Sequence, residues 1–117
     1  MNVEEFREYC LNKAFVEEGM PFGESTLVFK VAGKIFALCG LDAPNLSVNL
    51  KCEPEQAIAY REKFTEIQPG YHMNKKHWNT VAFESDLPES FLKQMIDDSY
   101  HLVLRSLSQK KRNELKL

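Results

Sequence analysis

The 117-residue chain is poor in the residues that build the commonest small-protein devices. It has three cysteines, Cys10, Cys39 and Cys52, an odd and widely spaced set with no C-x-x-C pair. That excludes a zinc knuckle and a thioredoxin-type couple, and leaves reduced, buried thiols as the expectation. Its five glycines are scattered. No G-x-G-x-x-G or Walker loop is present, so a phosphate cradle is not expected, and H-E-x-x-H and G-x-S-x-G are absent too. No apolar run approaches the roughly 18 residues of a membrane span. The start, Met1-Asn2-Val3-Glu4-Glu5-Phe6, lacks the apolar core of a secretion signal, so a cytoplasmic location and no membrane partner are expected.

Charge of one sign is also missing. Fifteen Lys and Arg stand against seventeen Asp and Glu, a net of −2, where a dedicated nucleic-acid binder is usually basic. The distribution is uneven. Residues 1–26 carry six Glu against Arg7 and Lys13, a net of −4, and residues 99–117 carry five cations against Glu114, a net of +4.

What is present reads as one α+β domain over residues 1–117, with 44% hydrophobic residues and 27% charged. Asn2 followed by Glu5 is a capping-box start. Val3, Phe6, Cys10 and Ala14 then recur at helical spacing, which predicts a helix over 2–17. Its off-stripe Glu4, Glu8 and Glu18 form either a solvated face or a site for cations. Thr26 to Ala32 and Lys34 to Leu41 predict a hairpin turning at Ala32-Gly33-Lys34. Leu46, Val48, Leu50 and Cys52 alternate with Ser47, Asn49 and Lys51, as in a half-buried antiparallel strand. Pro54 suits the first position of a second helix whose buried side is Ala57, Ile58 and Phe64, joined by Tyr60 or Arg61. Trp78 to Phe83 is a strand. A last helix runs from Asp86 through a stripe of Phe91, Leu92, Met95, Ile96, Val103, Leu104 and Leu107, interrupted at Ser99 and Tyr100. The residues from Ser108 onward read as a frayed end or tail. The order is α-β-β-β-α-β-β-α, an antiparallel sheet packed with helices.

Residues 68–83 contain no acid. They hold the lone Trp, His72, His77, Asn74, Lys75 and Lys76 on a predicted hairpin. Lysines there suit phosphates, the histidines and Asn74 and Asn79 suit hydrogen bonds to phosphate or base edges, and Trp78 and Tyr71 suit stacking. The competing reading puts Trp78 in the core, Asn74 in a turn and the lysines on a solvated tip. His72 and His77 lack a third ligand, no spacing marks a nucleophile with its base, and adjacent carboxylates on a helix do not face one another. No metal, cofactor or catalytic residue is therefore expected.

The runs Leu27-Val28-Phe29-Lys30-Val31-Ala32-Gly33-Lys34, Leu46 to Glu55, and Pro69-Gly70-Tyr71-His72-Met73-Asn74-Lys75-Lys76-His77-Trp78 resemble the bacterial MmcQ/YjbR family over nearly the whole chain. The resemblance implies a CyaY-like (frataxin-like) α+β fold. It also implies a double wing in which two β-hairpins grip double-stranded DNA, without catalysis. By charge and turn placement, the DNA-contacting set is Lys30, Lys34, Lys51, His72, Asn74, Lys75, Lys76, His77 and Arg105. The alternatives are a protein-interaction or chaperone-like module with a protein partner, and cation binding by the acidic first helix.

Overall fold

The protein is described by a computed structural model that covers residues 1–70 and 73–117. The element order is α1 (Val3–Leu11), β1 (Val16–Gly19), β2 (Thr26–Val31), β3 (Lys34–Gly40), β4 (Ser47–Lys51), α2 (Pro54–Lys63), β5 (Ile67–Pro69), β6 (Trp78–Ala82), α3 (Glu89–Arg105) and α4 (Gln109–Glu114). This is the α-β-β-β-α-β-β-α order expected, with two short additions, β1 and α4.

α1 begins on the capping box. Asn2 Oδ1 accepts from the Glu5 amide, and the Glu5 carboxylate accepts from the Asn2 amide. The expected helix over 2–17 ends early, because Asn12 caps it and Phe15 turns the backbone to a φ of 64°. Val16–Gly19 then pairs antiparallel with β2, from Val16 opposite Val31 to Gly19 opposite Val28. Glu18 is thus on a strand, where both its carboxylate oxygens meet Arg7 of α1 at 2.6 and 2.5 Å. That ion pair holds the Glu18 carboxyl below its usual range, with hydrogen bonding as the main cause. A cation-binding face on a helix carrying Glu4, Glu8 and Glu18 is therefore not formed.

The six-stranded sheet has the order β1-β2-β3-β4-β6-β5, every neighbouring pair antiparallel. β4–α2–β5 is a split β-α-β unit, with β6 inserted between its two parallel strands. One face carries α1 and α3. There the inward parity of β2 (Leu27, Phe29, Val31) and of β4 (Val48, Leu50) meets Phe6, Leu92, Ile96 and Val103 in one core. The β2–β3 turn is tight, with Ala32 at φ 49° and Gly33 at φ 88°. Both residues lie in left-handed space, which glycine tolerates and alanine resists. Ala32→Gly is expected to raise stability by up to about 1 kcal/mol, because relief of strain outweighs glycine's greater unfolded-state freedom. Urea melts of the two proteins check this.

A register shift opposite Phe29 and Lys30 leaves Phe36 as an extra residue in β3, and Phe36 and Ala37 are both fully buried. β3 and β4 pair only as far as Ala37 opposite Leu50. Beyond that point the Ser99 hydroxyl of α3 bridges them. It donates to the Phe36 carbonyl at 2.5 Å and accepts from the Lys51 amide at 2.8 Å. The interruption in the helix stripe at Ser99 and Tyr100 is therefore buried, at 0% and 7% exposure.

α2 buries Ala57 and turns Tyr60 and Phe64 inward against Phe91, whereas Ile58 points outward at 50% exposure. Positions 57, 60 and 64 share one helical face, and 58 lies about 100° around from 57. The tail forms α4, with the Ser108 hydroxyl accepting from the Lys111 amide. Cys10 and Cys39 are buried, Cys52 is half-buried, and all three are free. Burial pushes the Cys39 and Cys52 thiols up to about 11 and Cys10 higher still, so none is poised as a thiolate. Among the described residues no helix is long and apolar enough to cross a membrane.

Candidate nucleic-acid interface

Strand direction decides where the hairpins point. β2 runs towards the Ala32-Gly33 turn and β3 away from it. β4 runs back towards that end and finishes at Lys51. β6 starts opposite Lys51 at Trp78, and β5 ends opposite Asn79 at Pro69. The 32–33 turn, the end of β4 and the connection from Pro69 to Trp78 therefore share one end of the sheet. The two hairpin axes are three strand spacings apart, or about 14 Å. The last turn of α3 reaches the same end, since Lys34 Nζ donates to the Ser106 carbonyl at 3.3 Å.

Lys34, Lys51, Lys75, Lys76, Asn74, His77 and Arg105 of the expected set are brought to this end. Lys75 and Lys76 are exposed. Among the described residues neither they nor Lys51 have a carboxylate within 4 Å. Lys30 is on β2, on the sheet face away from the helices, directly opposite Glu17, which offsets its field. Arg105 is close enough to Asp98 to pull that carboxyl's pKa down, against a net rise caused mainly by burial. His72, with Tyr71 beside it, lies outside the described residues.

Asn74 builds the turn. Its side-chain oxygen accepts from the Lys76 amide at 2.9 Å, and its carbonyl accepts from the His77 and Trp78 amides at 3.0 Å. Arg61 Nη1 donates to the Lys75 carbonyl, and the Cys52 amide donates to His77 O at 2.7 Å, tying this connection to α2 and to the end of β4. Asn74 and the His77 backbone thus shape the loop that presents the two lysines.

Two side chains from the acid-free stretch are not free to read bases. Trp78 is only 9% exposed and crosses Gly70 so closely that a Cβ on Gly70 would lie 3.0 Å from Trp78 Cβ. Asn79 is 3% exposed and donates to the Ala57 carbonyl of α2. Its parity with Val81 was the available signal that it faces inward. Ser99 is a further contact that residue type does not announce, although its break in an apolar stripe marks the place.

These features define an α+β fold with a six-stranded antiparallel sheet and two hairpin turns at one end. The YjbR family model matches residues 11–102, and the chain belongs to the YjbR family. It is 38% identical over 104 residues to the uncharacterised protein YbdF of Escherichia coli O157:H7, covering 89% of this chain and 85% of YbdF. It is 30% identical to the uncharacterised protein YjbR of Escherichia coli strain K12, over 98% of both chains. Among solved structures it superposes on the Deinococcus radiodurans protein DR2400, of domain family DUF419, with a TM-score of 0.92 and 34% identity, covering 99% of this chain and 88% of that one. A Pseudomonas syringae protein matches at a TM-score of 0.75 and 29% identity, over 87% of this chain and 98% of its own.

Proposed function

We propose that the protein is a non-catalytic binder of double-stranded DNA that contacts the phosphate backbone with the end of its sheet. The carrying observation is the emergence of both hairpin turns at one end, about 14 Å apart, with Lys34, Lys51, Lys75 and Lys76 between and upon them. That separation is comparable to the roughly 12 Å width of the major groove of B-DNA, so two wings can follow the phosphates on its two sides. Trp78 and Asn79 are buried and so withdrawn from base contacts, and the Asn74 side-chain oxygen is engaged within its own turn by the Lys76 amide. The contacts available are to backbone phosphates, which position a protein without reading sequence.

About four phosphate contacts give a slope of log affinity against log salt of roughly −3 to −4. The Lys75→Ala, Lys76→Ala double variant is expected to flatten that slope by about 1.8, two contacts' worth. Duplex titrations at several salt concentrations, by fluorescence anisotropy, measure both. Binding indifferent to salt, or a slope unchanged in the double variant, overturns the reading.

A second reading, a protein-interaction module, is favoured by the exposed apolar side chains that flank edge strand β1. These are Phe15, Met20 and Phe22, at 42%, 46% and 66% exposure. Stoichiometric recovery of a protein partner, lost on Phe22→Ser, together with no DNA binding at low salt, would select it.

A further inference from the structure

β1 forms one edge of the sheet and β5 the other. β5 runs only from Ile67 to Pro69, and Pro69 has no N–H to offer. The outer side of β1 is open. The Phe15 carbonyl accepts from the Ala32 amide at 3.0 Å, so the Phe15 backbone faces β2. Backbone groups alternate sides along an antiparallel ladder. Glu17 and Gly19 therefore face β2 as well, and Val16 and Glu18 turn their N–H and C=O outward. Each offers a donor and an acceptor to an added strand.

The side chains along this edge fit one kind of strand. On the sheet face away from the helices, the exposed Glu17 lies opposite Lys30, and no cation forms an ion pair with it within 4 Å among the described residues. Glu18 is on the other face and is tied to Arg7. Gly19 shares the Glu17 face and puts no side chain on it. A Cβ there would meet nothing nearer than Pro21 Cδ at 3.9 Å. Beside it lies a groove of about 390 Å³ walled by Met20, Pro21 and Lys30, with Val28 across from Gly19. Phe15 flanks the far side of Glu17 at 42% exposure. Along the edge the order is aromatic ring, carboxylate, groove with apolar walls. The complement in an added strand is apolar, basic, apolar at alternate positions.

A second copy of this chain does not supply that complement. A two-fold pairing of β1 with itself over three residues sets Glu17 opposite Glu17 or Glu18 opposite Glu18, and like charges directly opposite are unfavourable. We propose that β1 accepts an added strand from an extended, basic segment of another protein, with an Arg or Lys opposite Glu17 and an apolar side chain in the groove beside Gly19. This partner chemistry deepens the protein-interaction reading of the edge, on which it rests, and it stands whether or not the end of the sheet binds DNA.

The probe is the peptide Ac-Thr-Leu-Thr-Arg-Thr-Leu-Thr-NH2, which reads alike in either strand direction, titrated into the isotope-labelled full chain. The control peptide carries Glu in place of Arg. The expected result is saturable one-to-one binding of the Arg peptide, slowed hydrogen exchange of the Val16 and Glu18 amides, and binding of the Glu peptide weaker by about fivefold to tenfold. Glu17→Lys, checked for an intact fold by its melting curve, is expected to reverse that preference. No saturable binding at millimolar concentration, or equal binding of the two peptides by the unaltered protein, overturns the proposal. Saturable binding with shifts at Met20 and Phe22 but unchanged exchange at Val16 and Glu18 overturns strand addition while leaving an interaction surface at this edge, so the two failures are told apart.

Discussion

Phe6→Ala is expected to destabilise the protein by about 3–5 kcal/mol, the cost of removing a fully buried aromatic ring. Phe6 is the main anchor of α1. It is 0% exposed and stands edge-on to Phe29 at 5.2 Å and to Phe83 at 5.4 Å, joining the helix to β2 and to the residue following β6. Aromatic pairs of this geometry add about 0.5–1.5 kcal/mol beyond their buried area. Small domains have only about 5–15 kcal/mol of net stability, so the loss is a large share of it. A melting midpoint lower by roughly 10–20 °C follows for a chain of this size. A fall below about 1 kcal/mol would mean that α1 is not docked as described. Arg7→Ala serves as the contrast, because it removes an exposed ion pair to Glu18 of the kind that contributes about 0–1 kcal/mol.

Ser99→Ala is expected to cost about 2–4 kcal/mol, although it deletes one oxygen atom. The Phe36 carbonyl and the Lys51 amide both depend on that hydroxyl at the point where β3 and β4 separate. Each buried backbone group left unmet costs about 1–3 kcal/mol. The signature is local as well as global. Amide exchange at Lys51 should accelerate more than at Leu50, one residue back on the same strand. Equal protection at Lys51 in both proteins would show that the hydroxyl does not close the ladder there.

Local patterns carried much of the fold. The alternation of Leu46 to Cys52 marks a strand with one wet face, and that face is where Ser47, Asn49 and Lys51 lie. Asn2 and Glu5 announced the start of α1 through a capping pair that depends on four residues alone. β1 was illegible, because Val16-Glu17-Glu18-Gly19 has no apolar alternation. It is a strand because β2 offers it a ladder and Arg7 holds Glu18. Ile58 was misplaced because apolar character does not report which side of a short helix meets the sheet.

The site was legible in part for the same reason. Residues 68–83 stood out by composition, and the turn at Gly33 stood out by its glycine. That the two face one end depends on β6 inserting between β4 and β5, which is a property of the whole sheet. The side chains that looked most suited to bases, Trp78 and Asn79, fall in buried positions. The backbone-contacting reading thus rests on the lysines, above all Lys75 and Lys76.

Mapping duplex DNA onto the labelled protein by amide chemical shifts is the most direct measurement. The predicted result is a contiguous set of perturbed amides at 32–34, 51–52, 73–77 and the last turn of α3, fading as salt is raised. Shifts centred on α1 or on edge strand β1, or no shifts at low salt, would contradict the placement of the interface at this end of the sheet.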